Sequence, residues 1–143
     1  MGGKMTPINW ETYKVLTDEQ RAIAMASIKS HEQALETLGK KSPAYEHFHT
    51  ELKVIMAKVN QYDRMVKEAP PVYIPLCKVS ERLVHYRIFY RISQEQVAKF
   101  IESSVDEQNR REYENYDGAT VEEVSKVLQA IGLSAKLSVS IIG

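Results

Sequence analysis

The chain has 143 residues, of which 43% are hydrophobic and 27% are charged, as in ordinary soluble globular domains. Its 19 basic and 19 acidic residues cancel, which excludes a strongly basic nucleic-acid coat but leaves a local basic face open. No stretch approaches the roughly 20 apolar residues that span a bilayer, and the first residues lack the apolar core of a secretion signal. With Cys77 as the single cysteine, neither an intrachain disulfide nor a cysteine-based zinc site can form. We therefore expect a cytoplasmic protein.

Two consecutive prolines, Pro70 and Pro71, divide the chain, because neither fits inside a helix and each restricts the residue before it. The sequence around them (APPVYIP) is typical of an extended linker. The predicted organisation is a flexible N-terminus (1–16), a helical hairpin (17–69), a linker (70–75), a second helical domain (76–133) and a C-terminal strand (134–143).

Two long helices are predicted before the linker. Thr17 and Gln20 have the spacing of a capping box, and Gly39 supplies a stop. Ser42 followed by Pro43 then begins a second helix. The connection between the helices is short, so we expect them to form an antiparallel hairpin.

The second helix carries apolar residues at alternating intervals of three and four, which is the spacing of a heptad seam. A two-helix hairpin buries little surface by itself, and apolar residues off the seam also need cover. We expect the hairpin to pack on a second hairpin from another subunit, and packing on the C-terminal half of the same chain is the alternative. The residues expected at that dimer interface are Phe48, Leu52, Ile55 and Val59.

The half of the chain after the linker has short helices that begin at recurring capping signals. Residues 93–96, 104–107 and 120–123 each have the S/T-x-x-E/Q form, and Gly132 follows the last helix. The first two of these helices follow each other directly, and the first begins with Ser-Gln-Glu. That layout is typical of a helix-turn-helix.

Residues 92–101 (ISQEQVAKFI) resemble the second helix of the lambda-repressor/Cro-like regulators, also called the xenobiotic-response-element family. Residues 105–114 (VDEQNRREYE) resemble its recognition helix, and residues 116–121 (YDGATV) resemble the start of the next helix in a branch that also has an N-terminal hairpin. The resemblance covers residues 76–133. It implies an all-α fold, with a helical hairpin followed by a domain of four to five helices.

The recognition helix of that family enters the major groove with its N-terminal residues at the base edges. In this sequence Arg110 occupies a position that the family fills with an apolar core residue, and the turn before the helix is two residues longer than usual. Gln and Asn can pair with adenine, and Arg can pair with guanine. The resemblance implies base contacts at Glu107, Gln108, Asn109 and Arg111, and phosphate contacts at Gln94, Arg82, Arg87 and Arg91.

The charge of this domain is unusual for a DNA-binding protein. Residues 76–118 contain seven Lys or Arg and eight Asp or Glu, so the net charge is about −1. Much of the affinity for DNA comes from neutralising phosphates. We therefore expect modest binding that depends strongly on dimerisation.

The C-terminal tail alternates apolar and polar residues. Leu137, Val139 and Ile141 are separated by serines, which predicts a half-buried strand. A single strand needs a partner, and the same strand of a second subunit is the favoured one. Docking on its own domain is the alternative.

These patterns predict a homodimeric, sequence-specific double-stranded DNA-binding regulator, acting as a repressor on a palindromic operator. An antitoxin that represses its own operon and holds a toxin is a narrower form of this hypothesis. The alternative is a protein-interaction module that binds through the hairpin and tail. We expect no enzymatic activity, no catalytic residues, no cofactor and no metal site, since His47 and His49 are two apart on a helix and point away from each other.

Overall fold

Six α-helices account for the regular structure of residues 7–142, which are the residues that the computed structural model describes. Of these residues 64% are helical, counting one 3-10 turn, and none forms a β-strand, so the predicted all-α class is confirmed. It divides into two compact units, one ending at Arg64 and the other beginning at Met65. Among the described residues, no helix is both long enough and apolar enough to cross a bilayer.

The first unit contains α1 (Asp18–Leu38) and most of α2 (Pro43–Lys67). The Thr17 hydroxyl accepts a hydrogen bond from the backbone N–H of Gln20 at 3.1 Å, which caps α1 as predicted. The helix ends before Gly39, whose positive φ of 74° suits a residue without a Cβ.

Contacts between α1 and α2 show that the two helices run in opposite directions. The Tyr62 hydroxyl donates to Asp18 at 2.6 Å, joining the start of α1 to the later part of α2. Towards the other end, the His31 ring lies 2.9 Å from the Glu51 carboxylate. The buried apolar residues of these helices are Ala24, Ile28, Leu52, Ile55, Val59 and Tyr62.

The prediction that the α2 seam forms a dimer interface is wrong for most of its residues. Leu52, Ile55 and Val59 are at most 9% exposed in the single chain. Phe48 is half-buried, with its ring centroid 5.4 Å from that of His31 on α1. Leu52, Ile55 and Val59 are thus already covered within one chain, and of the four predicted interface residues only Phe48 keeps exposed surface for a second copy.

Residues 7–16 of the predicted flexible N-terminus contain buried apolar side chains. Trp10, Val15 and Leu16 are buried, and the rings of Trp10 and Tyr13 meet edge to face with centroids 4.9 Å apart. The segment lacks a helical or strand period, so the sequence pattern did not predict the burial of these three apolar side chains. The rest of the predicted segment, residues 1–6, lies outside the described residues.

The second unit contains four short helices after a 3-10 turn at Leu76–Lys78. Serine or threonine hydroxyls cap three of these helices at the predicted positions 93, 104 and 120. The left-handed Gly132 ends the last helix, also as predicted. The helices are α3 (Val79–Phe89), α4 (Gln94–Phe100), α5 (Val105–Tyr113) and α6 (Val121–Ile131).

The core of this unit forms where α3 and α4 pack on α6, and α4 also packs on α5. The linker region is tied to α3, because Tyr86 donates to the Pro71 carbonyl at 2.6 Å and His85 donates to the Glu68 carbonyl at 2.7 Å. The buried apolar residues of the four helices are Leu83, Val84, Ile88, Val97, Ala98, Val127, Leu128 and Ile131.

The predicted C-terminal strand does not form in the single chain. Residues 134–142 have no regular secondary structure, and Leu137, Val139 and Ile141 are 68–98% exposed. A strand requires a neighbour for its backbone groups, and no described segment of this chain supplies one. Pairing with a second subunit stays a prediction.

His31 is a buried polar residue whose two ring nitrogens both face acceptors. Nδ1 lies 2.8 Å from the Ser27 carbonyl oxygen, and Nε2 lies 2.9 Å from a carboxylate oxygen of Glu51. A carbonyl and an ionised carboxylate only accept hydrogen bonds. Nε2 therefore donates to Glu51, and Nδ1 either donates to the carbonyl or accepts from the Ser27 hydroxyl, which lies 3.4 Å away.

We predict that Glu51→Gln lowers the free energy of unfolding by about 1–2 kcal/mol, because it replaces the carboxylate that accepts from the buried His31 ring with a neutral amide. Chemical denaturation measures the loss. Glu36→Gln, on the exposed surface of α1, is the control, and its effect should stay within about 0.5 kcal/mol. Equal losses in the two variants would contradict a stabilising contact between His31 and Glu51.

Candidate nucleic-acid interface

Helices α4 and α5 are the pair that carries the predicted DNA-binding residues. At the start of α4, the Ser93 hydroxyl accepts from the Gln96 backbone N–H at 3.1 Å, and the Gln96 side chain accepts from the Ser93 backbone N–H at 2.8 Å. The four residues 101–104 connect α4 to α5, and Ser104 caps α5 by accepting from the Glu107 backbone N–H. Local capping therefore sets where both helices begin.

One side of α5 is buried and the opposite side is exposed. Gln108 and Glu112, one turn apart, have no exposed surface. At 3.6 residues per turn, Arg110 projects about 200° around the axis from Gln108. Asp106, Arg110 and Glu114 are accordingly exposed. A long apolar stripe is absent from α5, so polar residues face both inwards and outwards.

The buried side of α5 is held by an ion pair between Arg87 of α3 and Glu112. Arg87 donates to both carboxylate oxygens, from Nε at 2.6 Å and from Nη2 at 2.7 Å. Gln94 of α4 adds a hydrogen bond to one of these oxygens at 3.1 Å, and Gln108 adds one to the other at 2.9 Å. Arg87 also donates to the Ile92 carbonyl at 3.0 Å. We call Arg87, Gln94, Gln108 and Glu112 the polar core.

This polar core fixes α5 relative to α3 and α4. A buried charge is costly unless it is paired and its remaining hydrogen bonds are made. Each oxygen of Glu112 has two donors, one from the guanidinium and one from an amide. Shifting α5 would break several of these contacts at once, whereas an apolar contact tolerates small shifts.

Tyr116, in the loop after α5, extends the same cluster. Its hydroxyl accepts a hydrogen bond from the Gln108 amide and its side chain is buried. Burial raises the pKa of Tyr116, and the nearby charge of Glu112 raises it further. Asn115 and Tyr116 have positive φ values of 52° and 56°, which L-residues adopt at a cost. The buried tyrosine contacts compensate for that cost and turn the chain towards α6.

The exposed side of α5 carries its own ion pairs. Glu107 accepts from Arg110, through Nε at 3.0 Å and also through Nη2, and from Arg111 Nε at 3.3 Å. Arg110 also donates to Glu114 at 2.9 Å. The hydrogen bond from Arg110, followed by that from Arg111, lowers the pKa of Glu107 to about 2. The same contact with Glu107 raises the pKa of Arg110.

The structure contradicts three of the predicted contact residues. Gln108, Arg87 and Gln94 are at most 4% exposed, so neither a base nor a phosphate reaches their polar atoms in this conformation. They were assigned to DNA because they are polar, but their side-chain N–H groups donate inside the polar core, where Gln108 Oε1 is buried without a partner among the described residues.

The other predicted contact residues lie at or near the surface. Arg82 and Arg91 are exposed. Asn109 is half-buried and accepts from Gln94 at 3.0 Å. Glu107 and Arg111 are each about one-third exposed, at 34% and 31% of their side chains, and are bonded to each other.

Sequence reasoning missed Arg110 as a surface residue. The resemblance assigned Arg110 to an apolar core position, but the buried residues of α5 are Gln108 and Glu112. Counting from the Ser104 cap would have identified it, because Gln108 and Glu112 share one face and Arg110 lies opposite.

No family model, curated protein or solved structure matches this chain. Within residues 7–142, no group of three or more His, Cys, Asp and Glu side chains is arranged to hold a metal ion.

We predict that Glu112→Gln lowers the free energy of unfolding of the second unit by about 3–5 kcal/mol, because it leaves the buried Arg87 charge unpaired. Chemical denaturation of the full chain followed by far-UV circular dichroism measures the loss.

The matched control for this change is Glu114→Gln, since it removes the same charge from the exposed side of α5, where the side chain is 51% exposed. Its effect should stay within about 0.5 kcal/mol. Equal effects of the two substitutions would show that the buried ion pair does not hold α5.

Proposed function

We propose that this protein is a sequence-specific double-stranded DNA-binding transcriptional repressor that acts as a homodimer. In this proposal α4 and α5 form the helix-turn-helix, α5 is the recognition helix, and α1 and α2 form the N-terminal hairpin. The observation that carries it is the polar core, which holds α5 by its buried side against α3 and α4 and leaves the opposite side exposed along its whole length. A rigidly held, exposed helix is what docking in the major groove requires.

The corrected set of DNA-contacting residues follows from exposure. On α5 the donors that stay accessible are Arg110 and Arg111, with Asn109 at the flank. Arginine pairs with guanine through two hydrogen bonds, and asparagine pairs with adenine. Arg82 and Arg91 stay assigned to phosphates because both are exposed.

Dimerisation compensates in this proposal for the low positive charge of the domain. Two copies bound to a palindromic operator would read half-sites about 34 Å apart, which adds the contacts of both domains. The exposed tail, with Leu137, Val139 and Ile141 on alternate positions, is the segment we assign to pairing between the copies.

The experiment that tests this function is selection of bound duplexes from a randomised DNA pool by the purified full-length protein. Recovery of a palindromic motif is the expected result. A folded dimer that enriches no motif at low salt would overturn the proposal.

We predict that Arg110→Ala and Arg111→Ala each weaken binding to the selected operator by about 1–3 kcal/mol, because each removes a guanidinium from a base edge or a phosphate. Fluorescence anisotropy with labelled operator DNA measures the affinities. Lys126→Ala is the control, because it removes one positive charge from α6, where the side chain is 59% exposed. An unchanged affinity in both arginine variants would contradict the assignment of α5.

A second candidate function is a protein-interaction module, which includes an antitoxin that holds its toxin. The observation that favours it is a set of exposed apolar residues on α1 and α2, where Ile23, Met25 and Met56 are 41–48% exposed. Salt separates the two functions, because DNA binding weakens steeply with added salt and apolar pairing does not.

A further inference from the structure

The carboxylate of Glu107 is bonded to both arginines that the proposed function assigns to DNA. It accepts two hydrogen bonds from Arg110 and one from Arg111. In the free protein, both guanidinium groups of α5 are therefore paired with the carboxylate of Glu107, and that of Arg110 is also paired with Glu114.

These ion pairs are exposed, so they exchange easily. The side chain of Glu107 is 34% exposed, and those of Arg110 and Arg111 are 55% and 31% exposed. Ion pairs in contact with water contribute little to stability. A phosphate or a base edge can therefore displace Glu107 from the arginines without disturbing the polar core beneath.

Once displaced, Glu107 has no cation of its own and lies in the first turn of α5, the part of a recognition helix that reaches the base edges. A carboxylate there is repelled by phosphates. In the major groove, the amino group of cytosine is a donor from which the Glu107 carboxylate can accept a hydrogen bond. The guanine of the same C·G pair offers acceptors to the released arginines.

This inference rests on the proposed function. We propose that Glu107 is the specificity-determining residue of this site. Its carboxylate holds Arg110 and Arg111 away from non-specific DNA and releases them on an operator that presents a cytosine to it. The amino group of adenine is the other donor in the major groove, but the adenine N7 acceptor beside it repels a carboxylate, and guanine and thymine present only acceptors or a methyl group. Glu107 therefore weakens binding to unspecific DNA more than binding to the operator.

The test compares Glu107→Gln with Glu114→Gln in the full-length protein. Both substitutions remove one negative charge from α5, and both remove a partner of Arg110. Only the first also frees Arg111. Glutamine suits the third position of a capped helix as well as glutamate does, and circular dichroism checks that both variants fold.

With Glu107→Gln we expect binding to random-sequence duplex to tighten by about tenfold and the operator preference to fall by about the same factor. The slope of log affinity against log salt should steepen by about one to two, because one or two more phosphates are neutralised. Selection from the random pool should lose the preference for cytosine at one position of each half-site. Glu114→Gln should leave that base preference intact and change each affinity by less than about threefold.

The outcomes separate this inference from the proposed function. If the wild-type protein selects an operator and the two variants behave alike, the role of Glu107 is overturned and the repressor function stands. If the wild-type protein selects no DNA, the repressor function is overturned, and the role of Glu107 falls with it.

Discussion

The buried ion pair between Arg87 and Glu112 is the constraint on which the second unit depends. It joins α3 to α5, and through the amides of Gln94 and Gln108 it includes α4 and leaves no oxygen of Glu112 without donors. Such a pair is costly to desolvate, so it favours one arrangement of the helices in which all of its hydrogen bonds are made. That arrangement determines which side of α5 is exposed.

Ion pairs of the same chemistry have different consequences on the two sides of α5. On the buried side, a guanidinium and a carboxylate without water around them cannot separate cheaply, so they hold the helix. On the exposed side, Glu107 and its arginines are solvated, so their contacts can be replaced by those of a ligand. A rigid base and an exchangeable surface on one short helix are properties that suit recognition of a charged partner.

The first unit also combines apolar packing with a buried polar contact. Its α2 seam is covered within the single chain, and His31 meets Glu51 and the Ser27 carbonyl between the helices. Apolar residues that stay exposed on this unit, such as Ile23 and Met56, lie off the seam. A second copy or another protein would thus have to use a different surface from the one that the heptad spacing suggests.

The sequence by itself determined the helices and their ends, because a capping hydroxyl acts on a backbone group within three residues: Thr17, Ser93 and Ser104 cap helices where the pattern predicts. Only the tertiary structure decided which polar side chains face inwards. Gln108 and Arg110 are both polar and two apart, so no hydrophobic period distinguishes them, and the burial of Gln108 depends on Arg87, which lies on another helix. The tail shows the same limit. Its alternation of apolar and polar residues can be read from the local sequence, but the formation of a strand depends on a partner segment that the local sequence does not specify.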